Sequence, residues 1–121
     1  SSATGRCFAA FMSPEVVAPL LKEELARAVK MRRTDLPATM AEVKTLLAEV
    51  RERGAARVVD TLLPGIVAFC APVFDADGHL ELGITTLGSI ATFDPEWNGA
   101  IDAPLRASAG QLSRDLGAGS A

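Results

Sequence analysis

Residues 65–74, Gly-Ile-Val-Ala-Phe-Cys-Ala-Pro-Val-Phe, carry no charge, and Asp75-Ala76-Asp77-Gly78 follows them at once. An apolar run of that length bounded by turn residues is the pattern of a strand buried on both faces, and Asp and Gly supply the reversal. Leu80 to Leu87 alternates well enough to be the partner strand. A β-hairpin at the centre of the chain is therefore the strongest constraint on its fold. With a compact turn, Cys70 falls beside Gly83, Ala68 beside Thr85 and Ile66 beside Leu87, all on one face because strand side chains alternate. Phe69, Val73, Leu82 and Ile84 make the opposite, more uniformly apolar face. Gly, Ala and Thr on the first face leave room for something besides side chains, which marks it as a candidate pocket wall.

Helical periodicity surrounds the hairpin. Phe8 and Phe11 sit three apart in a short apolar segment, Cys7 to Met12, that predicts a first helix. Ser13-Pro14-Glu15 predicts a second, with Ser as N-cap and Pro at the first helical position; Val17, Leu20, Leu21 and Leu25 carry it to about Ala28. Residues 29–38 read as a connection. Thr39-Met40-Ala41-Glu42 fits a capping box, and Val43, Leu46, Leu47 and Val50 predict a helix over about 40–53 that stops at Gly54. Arg57 to Thr61 is a short strand candidate. Asp94-Pro95-Glu96 resembles Ser13-Pro14-Glu15 and predicts the start of a last helix, in which Ile101, Leu105, Ala109, Leu112 and Leu116 recur until Gly117; residues 119–121 read as a tail.

Composition narrows the function. The 121 residues are 49% hydrophobic with a mean hydropathy of +0.24, enough apolar material for one core. A formal charge of −3 argues against binding to a phosphate backbone, and the basic stretch Lys30 to Arg33 is short and meets Asp35. No apolar run approaches the ~18 residues of a membrane span. Cys7 and Cys70 lack metal-ligand spacing and read as free, buried thiols in a reducing, cytoplasmic setting. A first residue Ser1 in place of Met suggests a fragment.

No catalytic set stands out, and no metal set or cofactor motif. The single histidine, His79, lies beside the hairpin turn, so a nucleophile and base pair has no obvious base. Asp75-Ala76-Asp77-Gly78 lacks the later oxygen ligands of a calcium loop and reads as a turn. Asp60, ahead of Leu62-Leu63-Pro64, reads as a solvated strand end with a cleft position as the alternative. Ser1, Ser2 and Thr4 beside Gly5 are small polar residues at a helix start, where backbone N–H groups favour a carboxylate or phosphate.

Taken together, Ser2-Ala3-Thr4-Gly5-Arg6-Cys7-Phe8, the stretch Glu42 to Gly54 ending in Glu49-Val50-Arg51-Glu52-Arg53-Gly54, Pro64-Gly65-Ile66, Ala71-Pro72-Val73-Phe74-Asp75, Gly78 and a final helix ending in Leu116-Gly117 resemble the effector-binding domain of IclR-type transcriptional regulators. The likeness covers almost the whole chain and implies a GAF-like (GAF/profilin-like) mixed α/β, or α+β, fold: an antiparallel sheet flanked by helices, here as a partial domain. It further implies a small-molecule effector held between sheet and flanking segment, a homodimer or homotetramer, and a winged helix-turn-helix domain upstream that alone reads DNA.

Carried over one position at a time, the resemblance places effector-binding residues at Ala3 and Thr4, at Ile66 and Ala68, and at Thr85 and Leu87. Some members set an acidic residue, a cysteine and two hydroxyls around a small keto-acid where this chain has Val58, Ala68, Thr85 and Leu87. A strongly polar ligand would leave groups unpaired here at roughly 1–3 kcal/mol each. The expectation is therefore an aromatic or otherwise largely apolar acid. Two alternatives stand beside it: a GAF-like oligomerisation module with no ligand, and a small enzyme using Cys70 or Cys7.

Overall fold

The computed structural model describes residues 2–33, 36–61 and 63–118. Among them the chain runs α1 (Ala3–Phe11), α2 (Pro14–Lys30), α3 (Met40–Arg53), β1 (Ala56–Val59), β2 (Ile66–Phe74), β3 (Leu80–Ser89) and α4 (Asp102–Asp115). The strands form one antiparallel sheet in the order β1-β2-β3. The architecture is α+β, with helices on both sheet faces, and no described helix is long and apolar enough to cross a membrane.

β2 occupies the middle because its sequence allows nothing else. Val67, Phe69, Ala71 and Val73 point to the α4 side and pack with Leu105 and Ala109, while Cys70 points to the other side and meets Cys7, Val43, Leu47 and Val50 of α1 and α3. Phe69, Val67 and Val73 are fully buried, each stabilising the fold by about 1.5–3 kcal/mol. Phe69 also stacks on Phe93 at 6.2 Å and meets Trp97 edge-on at 5.6 Å.

The helix boundaries follow their caps. Ser2 Oγ accepts from Gly5 N (2.9 Å), so α1 begins four residues before the expected segment. Thr39 Oγ1 accepts from Glu42 N (3.2 Å), as the capping box predicts, but Glu42 Oε2 accepts from Ala38 N (3.1 Å), one residue outside the box. Gly54 closes α3 at φ +76°. At α2, Pro14 is the first helical residue as expected, whereas Ser13 does not cap: its hydroxyl donates to Glu15. On the expected stripe Val17 is buried and Leu21 and Leu25 are half-buried, whereas Leu20 is exposed; Ala28 is the second buried residue of α2.

The last helix is the largest correction. Asp94-Pro95-Glu96 does not start it; Asp94 Oδ1 accepts from Glu96 N (3.0 Å) and Oδ2 from Ala100 N (3.0 Å), which folds residues 94–100 into a closed turn. α4 starts at Asp102, which is fully buried and accepts from Asn98 N (2.8 Å) and from Arg106 Nε (3.0 Å) and Nη2 (2.8 Å). Gly117, at φ +95°, ends the helical turn as expected, and the predicted tail at 119–121 lies outside the described residues. β1 is Ala56–Val59 in place of the expected 57–61. Asp60 stands at φ +58° and accepts from Gly65 N, capping the β1–β2 turn at the surface, so the cleft reading of Asp60 does not hold.

Candidate functional site

The hairpin register decides which residues share the candidate face. The compact-turn register is two residues out: Cys70 pairs with Thr85, Ala68 with Leu87 and Ile66 with Ser89, while Gly83 sits opposite Pro72. The turn is one residue longer than a compact one, closing through Asp75 N to His79 O (2.9 Å), and a bulge that skips Glu81 adds the second. A two-residue slip preserves side-chain parity. The predicted faces therefore survive although each predicted pair is wrong.

Extending the pairing to β1 gives two cross-sheet rows, Val58–Ala68–Leu87 and Ala56–Cys70–Thr85. α1 lies over the second row. Ala3, Cys7 and Ala10, at helical spacing, form the side of α1 packed into this core with Ala56, Val58 and Cys70. Thr4 stands at the margin, and its Oγ1 lies 2.6 Å from Thr85 Oγ1. The start of α1 is thereby tied to β3, and the first row lies just beyond it.

Of the predicted residues, Thr4 and Thr85 are in direct contact, Ala68 and Leu87 are neighbours in one row, and Ile66 continues the face one pair further. Leu87 is 67% exposed, Ile66 and Ala68 are half-buried, and Thr85 is exposed. Ala3 is different: at 2% exposure it is core, holding the helix start against the sheet and offering almost no surface of its own. Ser1 lies outside the described residues. The Gly5 N–H is already occupied by Ser2, so a carboxylate at this helix start would meet the earlier N–H groups and the Thr4 hydroxyl.

Beneath the hydroxyl pair lie Cys7 and Cys70, both fully buried. The Cys70 thiol is lowered to about 7 because the Cys7 S–H donates to its sulfur, burial opposing this, with the Thr85 and Thr4 hydroxyls adding to the lowering. Cys7, donating to Cys70 and buried, is pushed far above the ordinary thiol range. Sequence reading missed the cluster because the compact-turn register set Cys70 beside Gly83. Gly83 does matter to it: a Cβ there would come within 2.8 Å of Cys70 Sγ.

Among the described residues, further concavities lie elsewhere. An apolar groove of about 290 Å³ between α1, α2 and α3 is lined by Leu21, Leu25, Ala28, Leu46 and Leu47, with Ser2, Arg6 and Glu24 at its rim. A more polar one beside Trp97 contains Arg53 and Arg57, whose guanidinium carbons lie 4.6 and 5.0 Å from the Trp97 ring centre. A third lies between α3, the β2 end and α4. At the hairpin tip, Asp75, Asp77 and His79 come together, but Asp75 Oδ1 accepts from Asp77 N (2.9 Å) and His79 N (3.0 Å), the hydrogen bonding of a turn.

Residues 1–114 match the family model described as bacterial transcriptional regulator IclR C-terminal, and the chain belongs to that family. Among solved structures it is similar to Pseudomonas aeruginosa HmgR, with 34% identity and a TM-score of 0.84 over 99% of this chain and 45% of HmgR. The Thermotoga maritima IclR is 25% identical, with a TM-score of 0.72 over 96% of this chain and 46% of that one. The chain thus spans less than half the length of either regulator. The PobR inducer-binding domain from Acinetobacter, a double mutant in complex with 3-hydroxybenzoic acid, shares 15% identity and a TM-score of 0.73 over 93% of this chain and 65% of that one, a likeness of fold. No curated protein sequence matches the chain.

Proposed function

We propose that this chain is the C-terminal part of the effector-binding domain of a longer regulator, and that it binds a small, largely apolar organic acid on the sheet face where α1 begins. The observation that carries the reading is the Thr4–Thr85 hydroxyl pair, 2.6 Å apart, next to the uncharged row Val58–Ala68–Leu87. The hydroxyls and the first N–H groups of α1 supply donors for a carboxylate; Ile66, Ala68 and Leu87 supply apolar contact for its body. The row contains no group that would satisfy a second polar end of the ligand, which favours an aromatic or alkyl body over a keto-acid.

The chain performs no chemistry in this reading, and it regulates a DNA-binding domain located upstream in a dimer or tetramer. A ligand can do so only through different affinities for two subunit arrangements. A second reading, an oligomerisation module without ligand, draws on the exposed apolar residues Leu82 (39%), Leu87 (67%) and Ile90 (44%) along and just after β3. Calorimetry of the whole regulator against a panel of aromatic and aliphatic acids separates the two. The proposal expects heat and saturation with at least one aromatic acid, and the second reading expects none with any.

A further inference from the structure

We propose that Cys7 and Cys70 form a reversible disulfide under peroxide, making the chain's core a redox-modifiable site next to its candidate ligand face. The geometry brings the sulfurs together twice over. Cys7 is three residues, one helical turn, after Thr4, and Cys70 is the strand partner of Thr85, so the Thr4–Thr85 contact stacks one thiol over the other. The two thiols hydrogen-bond to each other. Both are fully buried among Ala3, Ala56 and Val58, with no other cysteine in the chain to compete.

The chemistry is asymmetric. The Cys7 thiol and one hydroxyl of the Thr4–Thr85 pair, the other hydroxyl hydrogen being used within the pair, donate to the Cys70 sulfur and favour its thiolate, the nucleophilic form. The Cys70 thiolate attacks a peroxide oxygen, the O–O bond breaks and hydroxide leaves to take up a proton, giving a sulfenic acid at Cys70. The Cys7 thiol then attacks that sulfur, loses its proton, and expels water as the S–S bond forms. In sum two thiols and one hydrogen peroxide give one disulfide and two waters, the sulfurs losing two electrons to the peroxide oxygens. Access requires local opening at the start of α1, beside the Thr4–Thr85 contact, and helix ends open locally at low cost. The disulfide fixes the start of α1 over β2.

The inference does not depend on which ligand the sheet face takes. The test treats the reduced chain with hydrogen peroxide, alkylates it under denaturing conditions and measures its intact mass, with peptide mapping. The expected result is a monomer that has lost both alkylatable thiols and two hydrogens, yields a Cys7–Cys70 linked peptide, and recovers both thiols with dithiothreitol. Cys7→Ser is expected to halt at sulfenic or further oxidised Cys70. Retention of both thiols, oxidation of each sulfur without a link, or linkage between chains would each overturn the proposal.

Discussion

The Thr4 and Thr85 hydroxyl oxygens, 81 positions apart in sequence, lie 2.6 Å from each other and tie the start of α1 to the last strand of the sheet. The contact is exposed, so its net contribution to stability stays at or below about 1 kcal/mol. Thr85→Val is expected to leave the melting temperature within a few degrees of the parent by calorimetry while weakening binding of the preferred acid roughly tenfold by titration. A large stability loss with unchanged affinity would reassign the pair to a purely structural role.

Asp102 supports the opposite sheet face. It is fully buried and accepts from Asn98 N and two Arg106 nitrogens, and Arg106 is 32% exposed at its side chain. Asp102→Ala removes the acceptor for all three and lets α4 lose its start, with an expected cost of about 2–4 kcal/mol in urea unfolding. A cost under about 1 kcal/mol would contradict this role.

Gly88 faces the ring of Phe93, where an added Cβ would stand 2.4 Å from Cδ2. Since Phe93 stacks on Phe69, it has little freedom to withdraw. Gly88→Ala is expected to destabilise by about 1–3 kcal/mol through overpacking. Gly78→Ala, at φ +80° with open space around it, is expected to cost about 1 kcal/mol through backbone strain alone.

The thiol pair makes stability depend on pH. Cys70 has a folded value of about 7 against an ordinary 9.0, so between those values the native chain holds one proton fewer than the unfolded chain and stability rises with pH. Above 9.0 the unfolded Cys7 ionises while native Cys7 keeps its proton, and stability falls again. Urea unfolding under reducing conditions is expected to show a rise on the order of 2 kcal/mol between about pH 7 and 9, and Cys70→Ala is expected to flatten it.

The legible parts of the fold are those specified locally. Thr39 and Gly54 bracket α3 because cap and left-handed stop act within one turn, and the Gly65–Phe74 run could only be a central strand. The start of α4 was not legible. Asp94-Pro95-Glu96 has the same local chemistry as Ser13-Pro14-Glu15, and what distinguishes them is tertiary: Trp97 reaches the Phe69 ring and Asp94 closes on Ala100. The hairpin faces were legible from alternation, but the pairs were not, since the extra turn residue and the bulge at Glu81 leave no pattern in the sequence. Of the candidate site, Thr4, Ile66, Ala68, Thr85 and Leu87 were reachable from face and helix start, whereas the Cys7–Cys70 contact needed the true register.

The most direct test of the central claim is titration of the whole regulator with its best-binding aromatic acid, comparing the parent with Leu87→Asp. Leu87 is 67% exposed, so the substitution leaves the core intact while putting a charge into the apolar row beside Ala68. A loss of affinity of tenfold or more, with an unchanged melting temperature, is the predicted result. Unchanged affinity in Leu87→Asp would show that the ligand binds elsewhere and contradict the assignment of the sheet face.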